Sequence, residues 1–403
     1  MPEALSSRER YLTTFRHREP DRVPILLDTN ALVFFTPQAR WYNQFERALV
    51  MLDLGCDPII NVWLPTPVVH PDVNVRTWRE RGKDGRTYLG KEFQTPAGPL
   101  RQVVVETDDW CDYWHGFWIQ RTLSCHQRDT YGMDLFDDWN VSRRTEPWVK
   151  GRQDLPKLRY VLQKPSGWQL DEWRHDAQRA LEFARRHDLL TMARRTIVTE
   201  AALWLCDMTW FTMQFHDDPG FVEEFLEIME PVAHRQAELA LEAGVDVVQR
   251  RGWYDFPDFW GGRFERYILP SINDEARRVH QAGKLHCYLL TMGWAAYLDA
   301  FQKLETDILW GADPFEGGAP LQTFKARLRD KTLLGGISGE RHLIQGTEPQ
   351  VREAVRRAVA ALAPGGGFVL ASSSSVYHET KWENVLAMVD EARRVGRYPI
   401  SGL

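Results

Sequence analysis

Apolar and polar positions repeat on two periods along this chain. In the second half, short runs are apolar on both faces: Val247-Val248, Leu285 to Leu290, Ile308-Leu309-Trp310, Leu333-Leu334 with Ile337, and Phe368-Val369-Leu370. That is the pattern of parallel strands buried between two layers. Between them, apolar residues recur every three or four positions. Phe221, Phe225, Ile228, Met229 and Val232 form such a stripe, opened by Asp218-Pro219 and closed by Ala243-Gly244. An Asp N-cap, a proline at the first helical position and a terminal glycine are the expected helix punctuation. Thr347-Glu348-Pro349-Gln350 has the form of a capping box ahead of Val351, Val355, Ala358, Val359 and Leu362. Glu383 to Arg394 repeats the stripe with Val385, Met388, Val389 and Ala392.

The first half predicts three more strands, at Arg22–Asp28, Asp57–Val62 and Arg195–Glu200. Between the second and third, residues about 66 to 165 read as an insertion. Within it, Thr87 to Val104 predicts a β-hairpin turning at Pro96-Ala97-Gly98. Strands alternating with helices predict an α/β fold, one (β/α)8 TIM barrel over residues 1–403 with a β-containing insertion between strands 2 and 3.

Composition narrows the class. A hydrophobic share of 43%, a charged share of 26% and a net charge of −6 describe a soluble globular protein with interspersed charges. They predict no nucleic-acid and no membrane partner. No stretch approaches the roughly 20 apolar residues of a membrane span, the opening residues do not read as a signal peptide, and a cytoplasmic location is expected. Cys56, Cys111, Cys125, Cys206 and Cys287 form no CxxC pair, as suits a reducing compartment. Seventeen tryptophans, five of them within 109–118 and 253–260, predict an aromatic core or subunit interface, or the wall of a pocket for a flat ligand.

The sharpest chemical signal is Lys284-Leu285-His286-Cys287-Tyr288. A strand delivers imidazole and thiol side by side, and either suits proton transfer, nucleophilic work or metal ligation. Neighbours on a strand point to opposite faces, so at most one of them faces a shared pocket. The reading favours His286.

Several short words resemble the uroporphyrinogen decarboxylase group, which includes methylcobamide:coenzyme M methyltransferases. They are Arg8-Glu9-Arg10 with Pro20-Asp21-Arg22-Val23-Pro24, Asp218-Pro219, Ala243-Gly244-Val245-Asp246, and His280 with Gly283-Lys284-Leu285-His286. Gly336-Ile337-Ser338, Gly346-Thr347, Gly365 to Leu370 and Glu383-Asn384-Val385 complete the series. The resemblance implies the barrel and places the chain as a divergent member. True uroporphyrinogen decarboxylases carry arginines after the first strand, where this chain reads Leu27-Asp28-Thr29-Asn30-Ala31. The zinc methyltransferases carry cysteines where Tyr288 and Ser374 stand here.

Active sites of such barrels form at the carboxyl ends of the strands. The residues expected there are His286, Asp255 and Tyr288 as catalytic groups. Asp28, Asn30, Glu200, Arg250, Trp253, Tyr254, Asp313 and Ser374 are expected to bind substrate. Trp253, Tyr254, Asp255, His286, Tyr288 and Asp313 are expected to converge on one concave site. A divalent metal such as zinc is expected on His286 with Asp255 or Glu200, through nitrogen and oxygen. The implied function is transfer of a methyl group between a small-molecule substrate and a corrinoid protein or tetrahydrofolate. The alternative is a decarboxylase or lyase of a small or aromatic carboxylate, with Arg250 pairing the acid. A homodimer is also expected.

Overall fold

A computed structural model describes residues 5–29, 33–34, 40–107, 133, 135–136, 138–374, 376 and 379–400. Asn30, Ser375, His378, Cys111, Cys125 and the aromatic stretch 109–118 lie outside them. Eight parallel strands make one sheet: β1 Ile25–Leu26, β2 Ile59–Trp63, β3 Leu190–Thr196, β4 Val247–Arg251, β5 Leu285–Leu289, β6 Ile308–Ala312, β7 Thr332–Ile337 and β8 Phe368–Ser372. Their order runs from β2 through β8 to β1, and helices cover the outside. This is the expected barrel.

Ladder pairing runs from β2 around to β1, and those two ends meet through Asp57. Its amide donates to the Ile25 carbonyl at 2.7 Å, and its Oδ2 accepts from the Ile25 amide at 2.8 Å. Arg10 and Arg22 each reach the carboxylate at 2.6 Å. The amino end of the barrel is filled by Tyr11 and Phe15 from helix Ser7–Phe15.

The helices start where expected. Asp218 caps Pro219–Ala243, and Gly244 ends it in the left-handed region at φ 85°. Thr347 and Gln350 form the capping box of Glu348–Leu362. The insertion is an antiparallel sheet of Asn74–Arg81, Thr87–Thr95, Gly98–Val105 and Arg144–Glu146, with the hairpin turning between Thr95 and Gly98. The third strand departs from expectation. It begins at Leu190, two residues after the C-cap Asp188 of helix Trp168–His187. Ile197 and Val198 lie buried beyond its end.

Candidate functional site

Strand alternation decides which side chains enter the barrel. On β5, Cys287 and Leu289 join the interior cluster with Met192, Val247 and Trp310. His286 and Tyr288 therefore point outward, under the helices. The His286 ring is fully buried, with Nε2 3.2 Å from Glu275 Oε1 and Nδ1 3.0 Å from the Thr306 hydroxyl. Glu275 belongs to helix Leu269–Gln281. On β4 the same parity sends Arg250 outward, where it donates to Glu275 at 3.1 Å and Ser271 at 3.0 Å. His286 and Arg250 thus share one carboxylate that fastens a helix to two strands. The expected convergence on one site is corrected for His286, and Arg250, expected to bind substrate at the mouth, lies in the same outer layer.

Asp255 and Tyr288 form a second buried pair in this outer layer. The Tyr288 hydroxyl donates to Asp255 Oδ2 at 2.9 Å, and the ring packs on Phe264 and Phe301. Gly252 leaves the room: a Cβ there would meet both side chains at 2.6 Å. Burial pushes the Asp255 carboxyl pKa up, opposed by Thr199, Arg250 and Tyr288. Burial, then Asp255, pushes Tyr288 well above the ordinary tyrosine range. Burial likewise raises the Cys287 thiol, which makes it an inert packing group. Asp255 lies near the carboxyl end but is sealed behind β4 and β5.

The groups that do enter the mouth come from other positions. Arg194 on β3 pairs with Asp28 at 2.9 Å, and its guanidinium lies 4.9 Å from the Trp310 ring centre. With Arg47, from helix Gln44–Asp53, and Asn61 of β2, these residues line a cavity of about 10 Å³, room for one water molecule. Burial lowers the Arg47 pKa to about 10; Asp28 opposes the shift and Arg194 adds to it. Here two guanidiniums sense one carboxylate.

Arg251, the inward neighbour of Arg250, pairs with the buried Glu200 at 2.9 Å. It sits between Trp204, at 5.0 Å, and Trp253, at 3.8 Å. Glu200 and Trp253 thus meet at Arg251, beyond the ends of β3 and β4. Tyr254 turns to Phe256, their ring centres 5.7 Å apart.

At β6, Asp313 is buried. Its Oδ1 accepts the amides of Phe315 and Glu316, and its Oδ2 accepts the Ser373 hydroxyl. Ser374 offers its carbonyl to Ser372. After β7 comes a π-helical turn, Gly339–Ile344, capped by Ser338. π turns recur at functional sites. This one presents His342, whose Nδ1 accepts the Ser338 amide at 3.1 Å, leaving the neutral ring's proton on Nε2. Burial lowers its pKa, with Asp313 opposing.

Arg194, Arg251, Arg47 and His342 were missed in the sequence. Strand parity, counted from the correct strand starts, would have singled out the first two. Among the described residues, no three His, Cys, Asp or Glu side chains gather as metal ligands. His286 faces Glu275 and Thr306, so zinc held by His286 with Asp255 or Glu200 does not fit this geometry.

A parallel α/β barrel with helices outside is a TIM barrel, the fold whose ligand sites form at the carboxyl ends of the strands. Residues 200–395 match the model of the family described as Uroporphyrinogen decarboxylase (URO-D). That match covers a little under half of the chain. Uroporphyrinogen decarboxylase of Thioalkalivibrio sulfidiphilus (strain HL-EbGR7) is 24% identical over 192 residues, 45% of this chain and 51% of that protein. The match thus spans about half the length of this curated relative. A methyltransferase from Methanosarcina mazei superposes with a TM-score of 0.57 at 16% identity, over 97% of this chain and 99% of that one. At that identity the likeness is one of fold. No helix among the described residues is long and apolar enough to cross a membrane.

Proposed function

We propose that the protein is a uroporphyrinogen-decarboxylase-like enzyme that takes a small aromatic carboxylate at its carboxyl mouth. The proposed reaction moves a methyl group from that substrate to a corrinoid on a partner protein or to tetrahydrofolate. The observation that carries the substrate class is Arg194, tied to Asp28, 4.9 Å from the Trp310 ring centre and backed by Arg47, on the wall of a cavity that must widen beyond its present single-water volume to take the guest. A guanidinium fork meets a carboxylate bidentately, and aromatic walls suit a flat body. The whole-length fold likeness to a methyltransferase supports the reaction. A single domain working in the cytoplasm completes this reading.

A second reading, loss of CO2 from the same carboxylate, is favoured by the URO-D match across 200–395. On either course His342, uncharged with its proton on Nε2, is the mouth's proton-transfer group.

The test uses 4-methoxybenzoate as probe. Arg194→Ala should weaken its binding in calorimetry by about tenfold or more, the loss of one charge-assisted pair. Binding unchanged in that variant would sink the substrate class. Turnover with methyl-labelled and carboxyl-labelled probe, with a corrinoid or tetrahydrofolate acceptor present, separates the two reactions.

A further inference from the structure

A groove of about 760 Å³ opens at the amino-terminal rim of the barrel, the face opposite the mouth. Helix Trp168–His187 and the turns that lead into β3, β4 and β5 form its walls. The volume lies within the roughly 300–1,000 Å³ of small-molecule sites. Its floor is apolar. Trp173, Ala177, Leu181 and Ala184 follow one face of the helix, and Leu189 closes the foot. The Trp173 indole N–H donates to the Trp63 carbonyl at 2.9 Å, so the ring offers the groove no polar atom. From Trp173 to Arg185 the helix runs about 18 Å at its usual rise.

Most charges around this floor are already matched. Arg8 grips Asp246 at 2.6 Å, Arg174 meets Asp171 at 3.2 Å, and Glu242 meets Arg235 at 3.0 Å. Of the lining charges, that leaves Arg185 and Lys284 against Asp188, a surplus of one positive charge. Arg185 is exposed and has no acidic partner among the described residues. The Lys284 ammonium donates to the Gly244 carbonyl at 2.9 Å, which holds it at the foot of the groove with donors to spare. Gly244, at φ 85°, leaves that end open, for a Cβ there would meet nothing within 4 Å.

We propose that this groove binds a free medium-chain carboxylate. The alkyl chain lies along Trp173, Ala177 and Leu181, and the carboxylate meets Arg185 and Lys284 at the foot. A carboxylate carries the single negative charge that the surplus matches, and its two oxygens accept from both donors. The site lies at the other end of the strands from Arg194 and works independently of it.

Calorimetry of the full chain with dodecanoate, kept below its micelle concentration, tests this, with dodecylamine as the control. Wild type should bind one dodecanoate per chain and no dodecylamine. Arg185→Glu turns the attracting charge into a repelling one, and Leu181→Glu puts a charge on the floor. Each should weaken binding about tenfold or more. Arg185 is exposed and Leu181 only half-buried, so neither change touches the core. Arg194→Ala should bind dodecanoate as wild type does. Overturning results are no binding to wild type, wild-type affinity in either groove variant, equal binding of dodecylamine, or loss of binding in Arg194→Ala, which would put the alkyl chain in the mouth.

Discussion

A histidine sealed between a carboxylate and a hydroxyl is held by what it touches. His286 shares Glu275 with Arg250, and all three side chains are buried. Removing the ring leaves Glu275 with one partner fewer in a dry layer. His286→Ala should therefore cost about 3 kcal/mol of stability, the usual price of breaking a buried charged network. Urea unfolding measures this directly. A variant as stable as wild type but unable to turn over substrate would return His286 to the chemistry. At this scale the sequence was misleading for a definable reason. The word Leu285-His286-Cys287-Tyr288 marks the strand correctly, but it does not say which parity faces the axis. Val248, two strand positions before Arg250, sits in the outer cluster with Ile60 and Ala193, and that outward parity continues through Arg250.

Elements were more legible than sites because caps and apolar stripes are local. Asp218, Thr347 and Gly244 act as their residue types predict. The family-like words also have an architectural explanation. Arg8 binds Asp246 at 2.6 Å, Arg10 binds Asp21 at 2.8 Å, and His280 binds Asp307 at 2.8 Å. These stitches lie where strands begin, so the words report the barrel and leave its reaction open. The third strand was placed late because Ile197-Val198 reads as a strand, although it packs as a buried loop. Arg194 was lost with that error.

One stitch between helices gives a pH prediction. Glu391, on helix Trp382–Val395, is buried and accepts from Arg394 and Arg356. The bond from Arg394 is the largest influence; against the cost of burial, it and Arg356 pull the carboxyl from 4.5 to about 2. A depressed folded-state pKa stabilises above the unfolded value and loses that stabilisation as pH falls through the folded one. The pair's contribution should be complete above about 4.5 and fade towards 2. Glu391→Gln should therefore lower the melting temperature at pH 7 and lose its effect near pH 2. A pH-independent difference in thermal scans would contradict this.

For the whole molecule, the barrel's weakest arc is where β1 and β2 meet. Among the described residues no ladder joins them there; the seam is held by Asp57, whose carboxylate is gripped by two arginines and whose amide reaches Ile25, and by Arg47, which bonds the Thr29 and Ile59 carbonyls. Asp57→Asn keeps the shape but removes the charge opposite Arg10 and Arg22, and should cost about 3 kcal/mol. Exchange of the Ile25 amide with deuterium should accelerate more than that of amides in β5 or β7, and equal acceleration everywhere would argue against a local seam. Asp28 follows β1 and Asn61 lies on β2, both on the wall of the small cavity beside Arg194. A seam that breathes is then a cavity that widens, so the clasp at the foot of the barrel sets how large a guest its mouth admits.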